Sequence, residues 1–240
     1  MKYFVIDQGN TLTKLAVFEE DSIVDIIRFE NSSSINGIID YLRLHNIKSG
    51  IVSSVRTPGL TIESDDIQAV VFSQNTKLFF TSDYDSPQTL GLDRIANVAG
   101  AIKMQKSKNF LIVDFGTCTT YSLVTEGVFR GGAISPGLDM RFKALNAFTS
   151  GLPLVKKSNE LSDEVLGKTT EGSIRAGVEA AGLLEVDSMI QQFCSLYEDL
   201  NVIGTGGNLA FFESHLKSTI FAAPNLTLLG LYEIYKYNEF

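Results

Sequence analysis

The chain has 240 residues, 44% of them hydrophobic, which is enough for one large core or two ordinary ones. Its formal net charge of −8 argues against a nucleic-acid-binding surface, and its two cysteines, Cys118 and Cys194, lack metal-ligand spacing and fit a reducing compartment. The apolar run at the start is too short for a signal peptide and no stretch approaches membrane-spanning length, so the expectation is a cytoplasmic protein with no nucleic-acid or membrane partner.

In chain order, Tyr3–Ile6, Lys14–Phe18 and Ile23–Phe29 read as three strands. Ser32–Ser34 offer an N-cap for a helix ending at Leu44, with Ile38, Ile39 and Leu42 on its buried stripe. Gly50–Val55 reads as a buried strand, and residues 56–76 carry no clear pattern. Lys77–Phe80 looks like a short strand, 83–89 like a surface loop, and Arg94–Lys106 like a helix with Ile95, Val98, Ala99 and Ile102 on one face. Three more strands follow, Phe110–Val113, Thr119–Val124 and Val128–Ile134. Leu138, Phe142, Leu145 and Phe148 fall at helical spacing, 150–170 reads as a long loop, and Gly172–Leu196 as a long helix. Asn201–Gly204 is a strand running into Thr205-Gly206-Gly207, and a last helix spans about Leu226–Tyr237 after Pro224.

One pattern occurs twice. Asp7-Gln8-Gly9-Asn10-Thr11 follows the first strand, and Asp114-Phe115-Gly116-Thr117 follows the strand Phe110–Val113. Each lies in the same context of strand, turn, strand, turn, strand. Glycine can take positive φ and lets backbone N–H groups approach phosphate oxygens, while Asn or Thr adds a side-chain donor. An aspartate beside a phosphate needs a cation or its hydration shell between the two. Either turn alone could be a simple hairpin signal. The pair in matched context predicts a duplicated α/β fold whose two lobes, 1–105 and 106–240, grip one metal–nucleotide complex for phosphoryl transfer.

Other features carry less. Ser162–Thr169 resembles a P-loop but lacks its first glycine and its preceding strand. Gly204–Leu209 falls short of a dinucleotide fingerprint. His45 and His215 are isolated and read as surface or cap residues, and Cys118 reads as a small buried residue.

With both turns, Gly91-Leu92-Asp93-Arg94, Gly131 to Gly137, Thr205-Gly206-Gly207 and Pro224–Leu231 in this order, the sequence resembles the type III pantothenate kinases over residues 3–238. Those belong to the acetate-and-sugar-kinase, heat-shock ATPase and actin superfamily, which implies a two-lobed actin-like ATPase fold of ribonuclease H-like domains. The resemblance implies ATP-dependent phosphorylation of pantothenate, the first step of coenzyme A synthesis, with Mg2+ and a monovalent cation, K+ or NH4+. It assigns Asp7, Gly9, Asn10, Thr11, Gly116, Thr117, Gly206 and Gly207 to ATP binding, and Asp114 to the monovalent cation. It makes Asp93 the general base and places Gly91, Arg94 and Thr170 on the substrate, with Gly131, Gly132 and Pro136 lining the pockets. It also implies a homodimer. The apolar residues of the last helix (Leu228, Leu229, Leu231, Ile234, Tyr235) and of the 172–196 helix (Val178, Leu183, Leu184, Met189) exceed what one face needs, although a two-lobed core could absorb them. Gln8, Ala16, Gly172 and Ser173 depart from the family pattern. Position alone leaves Asp93 a second reading, as the N-cap of the helix that follows. A kinase of another small hydroxylated metabolite, or a non-enzymatic regulator on this scaffold, are the alternatives in function.

Overall fold

The computed structural model describes residues 1–30, 35–56, 59–159 and 165–238. The chain divides into two compact units. The first comprises Met1–Lys106, Gly127–Phe129 and Asn225–Phe240, and the second Ser107–Glu126 and Arg130–Pro224. The C-terminal helix therefore joins the first unit, where the sequence reading had placed all of 106–240 in the second lobe.

The first unit is built on a sheet of β1 (Lys2–Gln8), β2 (Leu12–Glu19), β3 (Ser22–Glu30), β4 (Ser49–Ser54) and β5 (Gln68–Val71) in the order β3-β2-β1-β4-β5. β1–β2 and β2–β3 are antiparallel hairpins; β1–β4 and β4–β5 are parallel. α1 (Ile35–Leu44) crosses between β3 and β4, and a short strand, β6 (Thr81–Ser82), precedes α2 (Leu92–Met104). On one face Phe4, Ile6, Leu15, Val17 and Val52 bury against Ile38 and Leu42 of α1, with Ile39 partly buried beside them. The expected Ser32–Ser34 cap lies outside the described residues.

α2 packs against the last helix, α7 (Leu226–Asn238), at very short range. A Cβ on Gly230 would stand 1.7 Å from the Ala96 carbonyl oxygen, and one on Gly100 would stand 2.5 Å from that of Leu226. Only glycine allows the two backbones this close. Thr227 Oγ1 donates to Asn97 Oδ1 at 2.7 Å across the same seam. Tyr232 of α7 stacks on Phe18 with centroids 4.0 Å apart, so Leu228, Leu231, Ile234 and Tyr235 are consumed by this unit's core.

The second unit repeats the plan. β7 (Phe110–Phe115) pairs antiparallel with β8 (Cys118–Thr125) and parallel with β10 (Asn201–Thr205), which pairs parallel with β11 (Phe221–Ala222). With β9 (Val128–Pro136) outside β8, the order β9-β8-β7-β10-β11 matches β3-β2-β1-β4-β5 strand for strand. The start of β9, Val128 and Phe129, falls in the first unit and pairs with β6. α3 (Leu138–Ala147), α4 (Thr170–Arg175), α5 (Ala181–Leu196) and α6 (Leu209–Glu213) complete the unit. Leu111, Val113, Phe115 and Leu123 of the sheet pack with Leu138 and Phe142 of α3 and with Val186 and Ile190 of α5.

Several local expectations change. Lys77–Phe80 is not a strand; pairing begins at Thr81, opposite Val128. The patternless 56–76 stretch yields β5, too short and too exposed to show alternation. Phe148 falls just past α3 and is 88% exposed. The long helix is interrupted by a π-helical turn, Ala176–Ala180, at which Glu179 is buried. Cys118 is half-buried and Cys194 exposed, and neither forms a disulfide. His45 is exposed, and half-buried His215 shares a 2.8 Å hydrogen bond from Nδ1 to Ser214 Oγ. No helix among the described residues is long and apolar enough to cross a membrane.

Candidate functional site

The two Asp-Gly turns occupy equivalent places. Asp7 is next to last in β1, opposite Lys14 of β2 and Ser53 of β4. Asp114 is next to last in β7, opposite Thr120 of β8 and Thr205 of β10. In the first unit the chain reverses through Gly9, Asn10 and Thr11, and Gly9 N donates to Leu12 O at 3.0 Å. Asn10 and Thr11 are exposed. Gln8, the departure from the family pattern, is buried and structural. Its Oε1 accepts from Ser54 Oγ at 2.6 Å and from Leu60 N at 3.0 Å, tying the end of β1 to β4 and to the loop after it. Ala16 is fully buried in β2.

In the second unit Gly116 N donates to Cys118 O at 3.1 Å, leaving Thr117 exposed at the tip. Neither Gly9 nor Gly116 adopts positive φ, contrary to the reason first given for a glycine there. At 116 the reason is space: a Cβ would stand 3.2 Å from Asp114 Oδ1. Gly206 presses harder. It sits at φ +96°, and a Cβ on it would lie 2.4 Å from Asp114 Oδ1 and 2.7 Å from the Phe115 backbone. Gly137 closes the group, since its N donates to Thr117 O at 3.1 Å and a Cβ there would meet the Gly116 and Thr117 carbonyls at 2.6 and 2.5 Å. The Asp114 carboxylate is thus cradled by Gly116 and Gly206, residues 90 apart in sequence that the parallel β7–β10 register brings together. Gly137 was legible as part of a glycine-rich run, but its packing on the turn was not.

Asp93 stands inside α2, one residue after Leu92, and Gly91 is the N-cap. The reading of Asp93 as the cap is therefore corrected. Its Oδ1 accepts from Arg94 N at 2.8 Å, and a Cβ on Gly91 would lie 2.5 Å from that same oxygen. Glycine at 91 is what leaves room for the carboxylate. Arg94 is buried, its guanidinium 5.5 Å from the Phe129 ring centroid and 5.8 Å from that of Tyr84, within cation–π range of both.

Gly131 and Gly132 lie in β9 at φ +108° and +153°, backbone that a side chain would strain. Pro136 ends that strand. A clamp that the sequence did not reveal holds this end. Arg141 Nη2 donates to both oxygens of Glu185, at 2.8 and 2.7 Å, and Arg141 Nε to Pro136 O at 2.8 Å. Ser135 Oγ donates to Glu185 Oε1 at 2.7 Å. Burial alone would raise the Glu185 carboxyl; the hydrogen bonds from Ser135 and Arg141 outweigh it and hold it below its ordinary value.

Thr170 opens α4 in the wall of a cavity of about 780 Å³, shared with Leu145, Leu152, Lys168, Ser173 and Ile174. Thr169 caps that helix by accepting from Gly172 N at 3.0 Å, and Ser173 Oγ donates to Gly167 O at 3.3 Å. The unusual Gly172 and Ser173 therefore fold the segment against Gly167, where a Cβ would collide with Ser173 N at 2.1 Å. The P-loop look-alike is thus a helix-capping segment from Gly167 onward, and 162–164 lie outside the described residues.

Among the described residues no three or more His, Cys, Asp or Glu side chains gather as a metal site. A divalent ion here would rest on phosphate oxygens and water with one or two carboxylates, a donor set that Mg2+ accepts.

Comparison with known proteins places this geometry. The chain is 38% identical to the type III pantothenate kinase of Phocaeicola vulgatus and 37% identical to that of Cytophaga hutchinsonii, covering 98% of each chain in both cases. Among solved structures, a Baf-family protein from Campylobacter jejuni is similar at TM-score 0.63 and 17% identity, over 98% of both chains. The activator of 2-hydroxyisocaproyl-CoA dehydratase from Clostridium difficile, solved with bound ADPNP, is similar at TM-score 0.56 and 12% identity, over 100% of this chain and 95% of that one. A candidate 2-dehydro-3-deoxygalactonokinase from Sinorhizobium meliloti matches at TM-score 0.63 and 12% identity, over 98% of this chain and 96% of that one. These structural likenesses show the fold alone, an actin-like α/β plan that fits the two duplicated sheets. The family model for type III pantothenate kinase matches residues 3–192, the span holding both aspartate turns, Asp93-Arg94 and the β9 glycines, so the chain belongs to the type III pantothenate kinase family.

Proposed function

We propose that this protein phosphorylates pantothenate at the expense of ATP, giving 4'-phosphopantothenate in the first step of coenzyme A synthesis. The observation that carries this reading is the pair of Asp-Gly turns at equivalent strand ends of two sheets that share a five-strand order, in a chain of this family. In this reading the exposed tips of the two turns, Asn10 and Thr11 in one and Thr117 in the other, donate to phosphate oxygens, Gly9 and Gly116 shape those turns, and Gly206 and Gly207 lie against the nucleotide. Bound Mg2+ would lower phosphate charge, with Asp7 the first-unit carboxylate assigned to hold it or its water. Asp114, in its glycine cradle, is the proposed contact for K+ or NH4+.

Asp93 accepts the hydroxyl proton in this scheme. One of its oxygens is committed to Arg94 N, and its Oδ2 takes no hydrogen bond from the described residues, leaving an acceptor available. Buried Arg94 supplies fixed positive charge for the carboxylate of the acid substrate. Gly91, Thr170, Gly131, Gly132 and Pro136 are assigned to the surroundings of the two substrates. We also place the enzyme in the cytoplasm as a homodimer. Its two cysteines, neither in a disulfide, fit the first assignment. Val165 and Leu166, each 72% exposed, and Leu184, 51% exposed, give the second an apolar patch beside Gly167.

The decisive assay is ADP release by the purified protein with and without pantothenate, repeated over other small alcohols. Turnover that ignores pantothenate but responds to another acceptor would replace this reading. No turnover with any acceptor would favour a regulator on the same scaffold. Turnover should also rise on replacing Na+ by K+ or NH4+ at fixed ionic strength, and equal rates in all three salts would remove the role given to Asp114.

A further inference from the structure

We propose that Lys157 is a phosphate contact of the nucleotide site, supplied by the loop that follows α3. Lys157 Nζ donates to Asn208 Oδ1 at 2.5 Å and lies 5.4 Å from the centroid of the Phe211 ring. Asn208 directly follows Gly206 and Gly207, and its N donates to Phe115 O at 2.9 Å. The ammonium is thereby held at the turn that wraps Asp114.

The loop is anchored on both sides of Lys157. Val155 is buried in the core of the unit. Ser158 donates through N and Oγ to the two oxygens of Glu179, at 2.7 and 2.8 Å. Glu179 is 1% exposed and projects from the π-helical turn, a distortion that recurs at functional sites. A buried carboxylate spent on one serine is unexplained by the catalytic scheme and is explained if it fixes the neighbouring lysine.

Lys157 forms no ion pair with a carboxylate of the described residues, whereas Arg141 in the same unit is chelated by Glu185. An ammonium carries three donors and Asn208 takes one, so the others can meet an anion at the Gly206–Gly207 turn. In a chain of net charge −8, such a cation beside the Gly206–Gly207 turn offsets repulsion of a polyphosphate. The inference rests on the proposed placement of the nucleotide against Gly206 and Gly207.

The test is equilibrium binding of ATP, ADP and adenosine to the full-length wild type, Lys157→Met and Lys157→Arg, by calorimetry at fixed ionic strength, with melting temperatures recorded alongside. Lys157→Met should weaken ATP and ADP about tenfold, as expected on losing one charge-assisted contact, and leave adenosine unchanged. Lys157→Arg should keep ATP within about threefold of wild type, since the charge persists. The KM of Lys157→Met for ATP should rise in step with its loss of ATP affinity. Unchanged ATP affinity in Lys157→Met overturns the proposal, and so does an equal loss for adenosine, which would make the lysine a prop for the turn. A wild type that binds no nucleotide overturns the functional reading itself, and the two failures are told apart by the wild-type titration alone.

Discussion

Asp93 carries the most specific expectation at the scale of single residues. Its Oδ1 accepts from Arg94 N, a bond that asparagine can also accept, so Asp93→Asn should keep the first turn of α2 and the melting temperature. Loss of the ionisable oxygen should lower turnover by about 10²–10⁴-fold with nucleotide binding retained. A variant keeping more than about a tenth of wild-type turnover would send the search for the base to Asp7 or Asp114. In the sequence the two aspartate turns and their glycines stand out because the pattern repeats, whereas Asp93 and Arg94 stand out only through the family resemblance. What hid was long-range steric fit. Nothing around Gly206 or Gly137 in the sequence says that a Cβ at either would strike the Asp114 turn. Likewise Gln8 looks like a weakened motif until its bonds to Ser54 and Leu60 are seen.

Among elements, the α2–α7 seam is the most sensitive to volume. Alanine at 230 would gain up to about 1 kcal/mol of helix propensity. Its Cβ would stand 1.7 Å from a backbone oxygen of Ala96, an obstruction that no rotamer change relieves. Overpacking of this kind costs about 3 kcal/mol, so Gly230→Ala should lose about 2 kcal/mol or more by urea denaturation. An unchanged or raised midpoint would mean that the helices separate at little cost. The same helix is tied to the β2–β3 turn, where Asp21 sits at φ +64° and accepts from Lys236 Nζ at 2.7 Å and from Tyr232 Oη at 3.2 Å. The Lys236 hydrogen bond holds the Asp21 carboxyl below its ordinary value. A lowered carboxyl stabilises the fold above its unfolded pKa of 3.8, and the gain disappears as pH falls through the lower folded value. Asp21→Asn, which tolerates the same backbone, should therefore melt below wild type at pH 7 and converge with it in strong acid. A gap that persists unchanged at about pH 2 would show that the charge is not its source. Most strands and helices were readable because their apolar periods are strong. β5 and β6 escaped because a strand of four or two residues has no period, and the π-turn because 3.6-residue spacing runs through it almost undisturbed.

For the whole molecule, the duplication was the legible fact and the division of the chain was not. Two copies of one motif imply two sheets of one order, and the strand orders agree. A boundary near 105 cannot show that α7 belongs with the first sheet, because its partners Ala96, Gly100 and Phe18 lie more than a hundred residues away. That burial also withdraws Leu228, Leu231, Ile234 and Tyr235 from any subunit contact, so the proposed dimer must draw on other surface, with Val165, Leu166 and Leu184 the exposed apolar candidates. Light scattering at micromolar concentration should give twice the 26.3 kDa chain mass, and Leu184→Glu should shift it towards the single-chain value. A wild-type reading at 26.3 kDa would dismiss the dimer.

The return of α7 also sets an order of events during synthesis. Every residue of the second unit has been made by Pro224, while the first still lacks Asn225 onward. A growing chain can therefore finish its later half before its earlier one, the reverse of the usual N-terminal-first sequence. Until the final helix leaves the ribosome, Phe18 lacks the Tyr232 ring that stacks on it and α2 lacks the close partner its glycine accommodates. That apolar face is where a nascent-chain chaperone would find its purchase, and a truncation after Pro224 would leave it open for the life of the protein.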